Sequence, residues 1–484
     1  MAVESAEVPL VHSFVLDTEL AKQQLLTFPK FIRESMAFGQ LPGIRMSDME
    51  ALVSNEGHYL EFKAGPERRS YDSIVRVYLT RPLKIEVRSF SGKDEEFNKK
   101  LQNVLLFALQ FFEEHAKQSM LYMAFVPGSP RTATVKAGRS ILRKLFTGNM
   151  INIILISILI SVVLFAIIGM FAPIVFIVMM LVLVLSAGRL ISLGSPWRIT
   201  KEHRDVLLVQ YVVPEGIPGD YLKNNMDKLT DAKKRAYETF SSCPGTVCAE
   251  NISKVFQDAG LNVEPKDFLV RRIDVYSIVE RLAAKFKMHV PTVVITQDPR
   301  PNAAATGFTK NLATMLITMG LLVQLDEEEV ELVVGHELSH LRSGDPIALF
   351  SLVTTEYLLR VYVYVNYIGP FFVPYIFAVF WGIFFFGKFL ESRADLEAGI
   401  ILGKPKVMAG ALKKIGFRRL IIEERFMEPG VSRLGEWLRF DPHPPLYFRI
   451  QRLESLDLSN PPKHPLLDSI RAVTRGFMNS RKAA

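Results

Sequence analysis

The sequence predicts an α+β integral membrane protein, mostly helical, with two transmembrane hairpins (four spans) and an extra N-terminal α+β domain. Two long apolar stretches with very few charges predict the hairpins. A helix-patterned segment between them contains the motif His336-Glu337-Leu338-Ser339-His340, and the first quarter of the chain mixes helix and strand patterns. At 49% hydrophobic content, the 484 residues exceed the usage of ordinary soluble proteins.

The first apolar stretch runs from Leu145 to Gly188 without a charged residue. It is about twice as long as the roughly 20 residues that one helix needs to cross a bilayer. The break at Gly169 to Pro173 therefore predicts two helices, near 149–169 and 172–188.

The second apolar stretch, from Pro346 to Gly387, has a similar break at residues 368–370 and predicts the second hairpin. Its only charges are Glu356 and Arg360, four residues apart on a helix. Two interpretations remain open, because the pair could neutralise itself against other helices or line the path of a substrate.

Basic residues flank the first hairpin, and neither hairpin turn carries a charge. By the positive-inside rule, both hairpins enter from the cytoplasmic side and return. We therefore expect a multi-pass protein of the plasma membrane with His336 to His340 and both termini in the cytoplasm. The flanking basic residues are Arg131, Lys136, Arg139, Arg143, Lys144, Arg189, Arg198, Lys201 and Arg204.

These boundaries divide the chain into five regions: 1–130, 131–190, 191–345, 346–390 and 391–484. The first is the N-terminal cytosolic α+β domain, the second and fourth are the hairpins, and the third and fifth carry the polar motifs. Within the first region, patterning predicts helices at 18–37 and 94–117 and strands at 58–63, 73–80, 83–89 and 119–126.

The formal charge of +8 is modest, and the basic residues lie beside apolar runs. This pattern favours an anionic lipid surface over nucleic acid. Cys243 and Cys248 are too few for a disulfide framework or a structural zinc site.

Histidines four residues apart on a helix share one face, so His336 and His340 can bind one zinc ion while Glu337 reaches its water. Asp326 and Glu329 predict a capping box at the start of this helix, and Gly344 predicts its end. A catalytic zinc takes three protein ligands, so one ligand lies elsewhere.

Glu391 is the best candidate for the third ligand, because it follows the fourth span in a helix-patterned segment. Asp395 lies four residues further on the same face, where it could accept the other ring N–H of a ligand histidine. Glu397 is a rival ligand, and a surface role for these carboxylates also stays open.

Residues 302–307, Asn-Ala-Ala-Ala-Thr-Gly, lie between two predicted strands at Thr292–Thr296 and Ala313–Thr318. Such small residues could offer an exposed sheet edge to which a substrate peptide adds as a further strand. The alternative is an ordinary structural turn.

Several motifs follow one another along residues 140–457. Two spans are followed by residues 302–307 and by the histidine motif, with Asp345 five residues after His340. Two more spans then precede the motif Glu391-x-x-x-Asp395 and a final motif that begins at His443-Pro444-Pro445. In this order and spacing the chain resembles the HtpX-like membrane zinc endopeptidases. Residues 1–130 lie outside the resemblance.

The resemblance implies a zincin-type metallopeptidase core with one zinc ion per chain. It implies zinc binding by His336, His340 and Glu391, support of a ligand by Asp395, and a position facing the reacting centre for His443 and Arg449. It also assigns the substrate edge to Asn302, Ala303, Ala304, Ala305, Thr306 and Gly307. Ala304 stands where an aromatic residue is common in the family, which bears on side-chain preference and leaves backbone pairing intact.

The sequence thus predicts a zinc endopeptidase that cleaves membrane proteins on the cytoplasmic side, with quality control of misfolded proteins implied by the resemblance. The expected partners are membrane protein or peptide substrates, the lipid bilayer, and an unknown partner for the N-terminal domain. Two alternatives remain: a CAAX-type prenyl protein endopeptidase, whose group has more spans and an enclosed chamber, and a catalytically silent membrane scaffold.

Overall fold

The chain forms two compact units, Met1–Leu121 and Tyr122–Ala484. The computed structural model describes residues 10–16, 18, 25–37, 44–54, 57–66, 73–80, 82–89, 95–118, 120–127, 150–194, 197–212, 224–242, 247–307, 313–364, 371–425 and 433–482.

The first unit contains a five-stranded antiparallel sheet in the order β1-β5-β4-β3-β2. Its strands are β1 (Leu10–Leu16), β2 (Ile44–Ser54), β3 (Gly57–Pro66), β4 (Ser73–Tyr78) and β5 (Leu83–Ser89). Alternate residues of β4 and β5 are buried, as a sheet with one covered face requires. Helices α1 (Phe28–Ala37) and α2 (Glu95–Gln118) contact each other through Phe28 and Phe112, whose ring centroids lie 5.2 Å apart.

Three strands and the second helix of this unit lie close to their predicted places, but the first helix does not extend over 18–37. It begins at Phe28, and Thr18 lies outside any helix. Strands β1 and β2 were not predicted. The alternation of β2 is interrupted because Asp48 has a φ of 52° and the register shifts between Ser47 and Glu50.

The second unit contains two small sheets. One has the order β6-β8-β9 and the other the order β11-β12-β10-β7. Their strands are β6 (Met120–Phe125), β7 (Trp197–Ile199), β8 (Asp205–Val212), β9 (Phe268–Asp274), β10 (Thr292–Thr296), β11 (Ala303–Thr306) and β12 (Thr314–Thr318). The parallel pair β10 and β12 forms the centre of the second sheet, and β11 is antiparallel to β12 at its edge.

Helices make up most of the second unit. They are α3 (Met150–Ile168), α4 (Ala172–Gly194), α5 (Met226–Ser242), α6 (Ala249–Asp258), α7 (Val275–Lys285), α8 (Met319–Gln324), α9 (Glu327–Ser343), α10 (Asp345–Leu359), α11 (Phe372–Leu402), α12 (Pro405–Arg425), α13 (Leu434–Leu438), α14 (Leu446–Glu454) and α15 (Pro465–Lys482).

Among the described residues, three helical segments are long and apolar enough to cross a membrane: Leu159–Arg189, Asp345–Val363 and Phe372–Leu402. The first of them contains most of α3 and α4, joined at Gly169 with a φ of 58°. The predicted count of four spans therefore stays a prediction. The predicted break at residues 368–370 lies outside the described residues.

Contacts of Tyr357 on α10 show how the chain turns at Gly169. Its hydroxyl bonds the Ser161 hydroxyl of α3, and its ring centroid lies 5.1 Å from that of Phe176 on α4. A continuous helix would separate Ser161 and Phe176 by about 22 Å, at 1.5 Å per residue. Because both side chains contact the same tyrosine, α3 and α4 fold back beside each other.

Glu356, in the last turn of α10, and Arg360, the residue that follows this helix, satisfy one another. Arg360 donates to Glu356 from Nε at 2.8 Å, and the Tyr375 hydroxyl donates to the same carboxylate at 3.1 Å. The guanidinium also lies 5.1 Å from the ring centroid of Tyr357. These contacts correspond to the first of the two interpretations of the pair, in which it is neutralised against other helices.

Candidate metal centre

Helix α9 carries the histidine motif and begins and ends where its caps require. The Asp326 carboxylate accepts from the Glu329 amide at 2.9 Å, and the Glu329 carboxylate accepts from the Asp326 amide at 3.0 Å. Gly344 closes the helix at a φ of 72°, in the left-handed region that favours glycine. The predicted capping box and stop are therefore confirmed.

The side chains of His336, His340 and Glu391 converge, with ligand atoms that all lie within 4.8 Å of one another. The two Nε2 atoms are 3.1 Å apart. His336 Nε2 lies 3.4 Å from Glu391 Oε2, and His340 Nε2 lies 3.4 Å from Glu391 Oε1. Two nitrogen donors and one carboxylate thus face a common point, as a mononuclear metal site requires.

The long helix α11 brings Glu391 to the histidines. It packs against α9 at Gly335, where an added Cβ would lie 2.8 Å from Leu402 Cδ1 and 3.7 Å from Ala398 Cβ. A side chain at 335 would require Leu402 to shift, so glycine leaves room for the close packing of α9 and α11.

A carboxylate lies behind each histidine. Asp395 Oδ1 is 3.0 Å from His336 Nδ1, and Asp345 Oδ2 is 2.6 Å from His340 Nδ1. A carboxylate in this position accepts a hydrogen bond from the Nδ1–H group, which fixes the orientation of the ring and leaves the Nε2 lone pair for a metal ion. Asp395 thus lies where its proposed supporting role requires.

Buried arginines hold both of these carboxylates. Arg449 donates to the two oxygens of Asp395, each at 2.7 Å, and Arg393 donates to Asp345 at 2.6 Å. Paired hydrogen bonds of this kind fix the plane of the carboxylate. Arg449 also lies 3.8 Å from Glu391 Oε2, so it reaches the edge of the metal site.

The acidic groups make this place attractive to a cation. Burial by itself would lower the pKa of His336, but hydrogen bonds to Asp395 and Glu391 outweigh it and raise the pKa to about 10. The excess negative charge is therefore balanced by a proton on His336 or by a metal ion that replaces it.

Glu337 is half-buried on α9 between the two histidines. It makes no hydrogen bond or ion pair with any of the described residues. Its carboxylate is consequently available to a water molecule or a substrate near the centre.

His443 approaches the centre from the chain between α13 and α14. Its Nε2 lies 3.4 Å from Glu391 Oε2, and its Nδ1 lies 2.8 Å from Asp441 Oδ1. The Asp441 carboxylate also accepts from the His443 amide at 2.9 Å. When the Nδ1–H group donates to Asp441, the ring can also donate at Nε2 only as the imidazolium ion.

Residues 302–307 surround the edge strand β11, which packs against α9. The Thr318 amide donates to the Asn302 carbonyl at 3.0 Å. In an antiparallel ladder the direction then alternates, so Ala304 and Thr306 face β12 while Ala303 and Ala305 turn their backbone groups to the open side.

Glu397, the rival third ligand, accepts from the Ser339 hydroxyl at 2.6 Å and lies outside the three-residue cluster. The sequence did not indicate the roles of Asp441 and Arg393. Asp441 sits two residues before His443, a spacing that favours a local carboxylate to imidazole hydrogen bond, whereas nothing local marks Arg393.

Comparison with known proteins agrees with these motifs. Residues 270–457 match the family described as Peptidase family M48. A Protease HtpX homolog of Neisseria meningitidis is 27% identical over 243 residues, covering 46% of this chain and 87% of the relative.

Two further relatives show somewhat higher identity. A Protease HtpX homolog of Chlorobium phaeobacteroides is 30% identical over 203 residues, and Protease HtpX of Nitrosococcus oceani is 31% identical over 210 residues. Each alignment covers 37% of this chain and 69% of the relative. Together with the family match and the apolar helices, these similarities identify a membrane protease, and the chain belongs to the HtpX-like proteases of peptidase family M48.

Proposed function

We propose that this protein is a zinc endopeptidase that binds one zinc ion through His336, His340 and Glu391 and cleaves membrane proteins on the cytoplasmic side. The observation that carries the proposal is the cluster of these three ligands on two helices, with Glu337 between the histidines. Catalytic zinc sites use three protein ligands of this kind and keep one position open.

The donor set fits zinc in both type and spacing. Ligands about 2.0–2.1 Å from a tetrahedral centre lie about 3.3 Å from one another. The two Nε2 atoms are 3.1 Å apart and each lies 3.4 Å from a different oxygen of the Glu391 carboxylate, so the spacings are close to that value. When bound, zinc would supply Lewis acidity that lowers the pKa of water and polarises a peptide carbonyl.

Within this centre, Glu337 would accept the proton of the attacking water and pass it to the leaving amine. The protonated His443 would donate from Nε2 to the oxygen of the carbonyl under attack. Arg449 contacts Asp395, so we assign it chiefly to the positioning of the carboxylate that orients His336.

The substrate would bind as an added strand along β11. Ala303 and Ala305 offer backbone groups that no described residue pairs, on the open side of an edge strand that runs beside α9. Small side chains keep this edge accessible. Recognition through the backbone would suit a protease that acts on many unfolded sequences, as in quality control.

Removing one edge donor should weaken substrate binding. Ala305→Pro deletes the outward N–H and spares the hydrogen bonds to β12, because proline is tolerated at sheet edges. We expect kcat/KM to fall about 2- to 10-fold, the equivalent of one backbone hydrogen bond, with metal content unchanged. Ala305→Val keeps the N–H and is the control. Equal activity in the two variants would argue against strand addition.

Asp345 should matter for metal affinity, because it orients His340 and is itself held by Arg393. We expect Asp345→Asn to weaken zinc binding about 10- to 100-fold in a chelator competition assay. Asp326→Asn on the same helix preserves a good N-cap and should leave affinity unchanged. An unaltered zinc affinity in Asp345→Asn would remove its supporting role.

We further propose that α3 and α4 each cross the membrane, which with α10 and α11 gives four spans in two hairpins. The shared contacts of Ser161 and Phe176 with Tyr357 support a fold back at Gly169. Basic flanks around the first hairpin support a cytoplasmic position for the metal centre and both termini in a plasma membrane.

Metal analysis combined with a cleavage assay tests the proposed function. We expect the full chain, purified and reconstituted in vesicles, to contain about one zinc ion and to cut a membrane protein within a loop on the side of the basic flanks. A prenylated CAAX peptide serves as a second substrate. Cleavage of that peptide alone would favour the prenyl endopeptidase, and a chain without zinc or cleavage would favour the scaffold.

A further inference from the structure

Lys388 is the most deeply buried charged side chain near the metal centre, with 1% of its surface exposed. It lies on α11, three residues and almost one helical turn before Glu391. Burying an ammonium group is costly unless its three N–H donors find acceptors. The hydrogen-bond partners of Lys388 therefore indicate its structural role.

Those partners are backbone carbonyls of the segment that carries His443. The Lys388 ammonium donates to the carbonyl of Asp441, to that of His443 at 3.3 Å and to that of Arg439 at 3.4 Å. All three acceptors lie in one stretch of five residues between α13 and α14. Residues 439–443 form the histidine loop.

The histidine loop also packs closely against α11 just before Lys388 and one turn earlier. An added Cβ at Gly387 would lie 2.8 Å from Pro442 Cβ and 3.2 Å from Pro442 Cα. Phe384, one turn earlier, meets Phe440 with ring centroids 6.0 Å apart. Phe384, Gly387 and Lys388, on one face of α11, thus all contact the loop. The next residue on that face is the proposed ligand Glu391.

The His443 side chain makes few contacts that could fix its position. It is 43% exposed, and among the described residues its polar contacts are with Asp441, within the loop, and with Glu391. The position of the imidazole relative to the metal centre is therefore set by the backbone of the loop. Lys388 binds that backbone on both sides of Pro442.

We propose that Lys388 is a positioning residue that holds His443 at the metal centre by clamping the histidine loop to the helix of the third ligand. The inference rests on the proposed function and deepens it. Because His443 would act mainly on the reacting carbonyl, the loss of Lys388 should affect the chemical step more than substrate binding.

The test compares Lys388→Met with His443→Ala in the full-length protein. Methionine nearly matches the length of lysine and removes all three donors. We expect Lys388→Met to lower kcat about 10- to 100-fold, the cost of misplacing a catalytic group by about 1 Å, with KM changed by less than about 3-fold and zinc retained. Lys404→Met, which breaks only an exposed ion pair with Glu328, should leave kcat unchanged.

A double-mutant cycle separates positioning from general damage. If Lys388 acts through His443, Lys388→Met should cause no further loss of kcat in a His443→Ala background. A loss of similar size in both backgrounds would overturn the proposal, as would wild-type kcat in Lys388→Met.

Gly387→Ala provides a second route in case Lys388→Met does not fold. Its new methyl group would displace Pro442 while every hydrogen-bond donor remains. We expect at least a 5-fold lower kcat that likewise disappears in the His443→Ala background. An unaffected Gly387→Ala enzyme would overturn the proposal. If the wild-type protein has neither zinc nor peptidase activity, the proposed function has failed, and that outcome is distinct from all of these.

Discussion

Replacing Glu337 by glutamine is expected to abolish peptide hydrolysis while zinc remains bound. The carboxylate is the only group between the two histidines that can take a proton from the attacking water, and it makes no hydrogen bond or ion pair with the described residues. A positioned general base contributes about 10²- to 10⁴-fold, so kcat should fall by at least about 10²-fold. Glutamine has the same shape but cannot accept the proton at neutral pH.

The measurement is the rate of cleavage of a reconstituted membrane substrate together with the zinc content of the same preparation. Glu328→Gln is the matched control, because Glu328 is exposed on the same helix and, within the described part of the chain, pairs only with Lys404. We expect the control to keep both zinc and activity. Full activity in Glu337→Gln would show that another group is the base.

The inactive Glu337→Gln protein should also retain substrates. With the metal centre and the edge strand intact, a bound polypeptide would remain uncut and could be identified after purification. Membrane proteins among the trapped chains would support the proposed substrate class. A trap that holds only prenylated chains would support the prenyl endopeptidase.

Glu391→Ala is expected to remove both metal and activity. Two histidines without a third ligand make a weak site, and the change also removes the negative charge that faces both Nε2 atoms. Zinc bound per chain should fall from about one to near zero after dialysis against a mild chelator.

Glu397→Gln is the control for this prediction. Glu397 lies six residues further along α11 but accepts from the Ser339 hydroxyl at 2.6 Å, away from the histidine nitrogens. Zinc should therefore remain in this variant. Retention of zinc by Glu391→Ala, or its loss from Glu397→Gln, would mean that the third ligand has been assigned wrongly.

Features that depend on near neighbours in the chain could be predicted from the sequence. The start and end of α9 follow from Asp326, Glu329 and Gly344 within its first and last turns. The spacing of Glu391 and Asp395 by four residues placed both carboxylates on one helical face, and the structure brings both to His336.

Features that depend on distant contacts could not be predicted in the same way. Arg393 meets Asp345 across 48 residues of chain, and Lys388 meets the Asp441 carbonyl across 53. Lysine within an apolar run indicates only that a partner must exist. The partner here is backbone, which has no sequence signature.

The resemblance to a family supplied what local patterning could not. From residue types alone, Arg449 is an ordinary basic residue on a short amphipathic helix. In the structure it is only 9% exposed and donates a hydrogen bond to Asp395. The edge strand β2 was not predicted, because it lies outside the family resemblance. Its register shift between Ser47 and Glu50 also interrupts the alternation of buried and exposed residues that indicates a strand.

Helix α11 is unbroken over 31 residues, which makes it about 46 Å long at 1.5 Å per residue. A hydrocarbon layer of about 30 Å takes up roughly 20 of these residues, so the remainder projects only about 15 Å into the aqueous phase. In the proposed endopeptidase, the scissile bond would therefore come within about this distance of the lipid headgroups. Cleavage of α11 between its apolar part and Glu391 would put this carboxylate and the two histidines on different fragments, so neither fragment would carry the complete three-residue cluster.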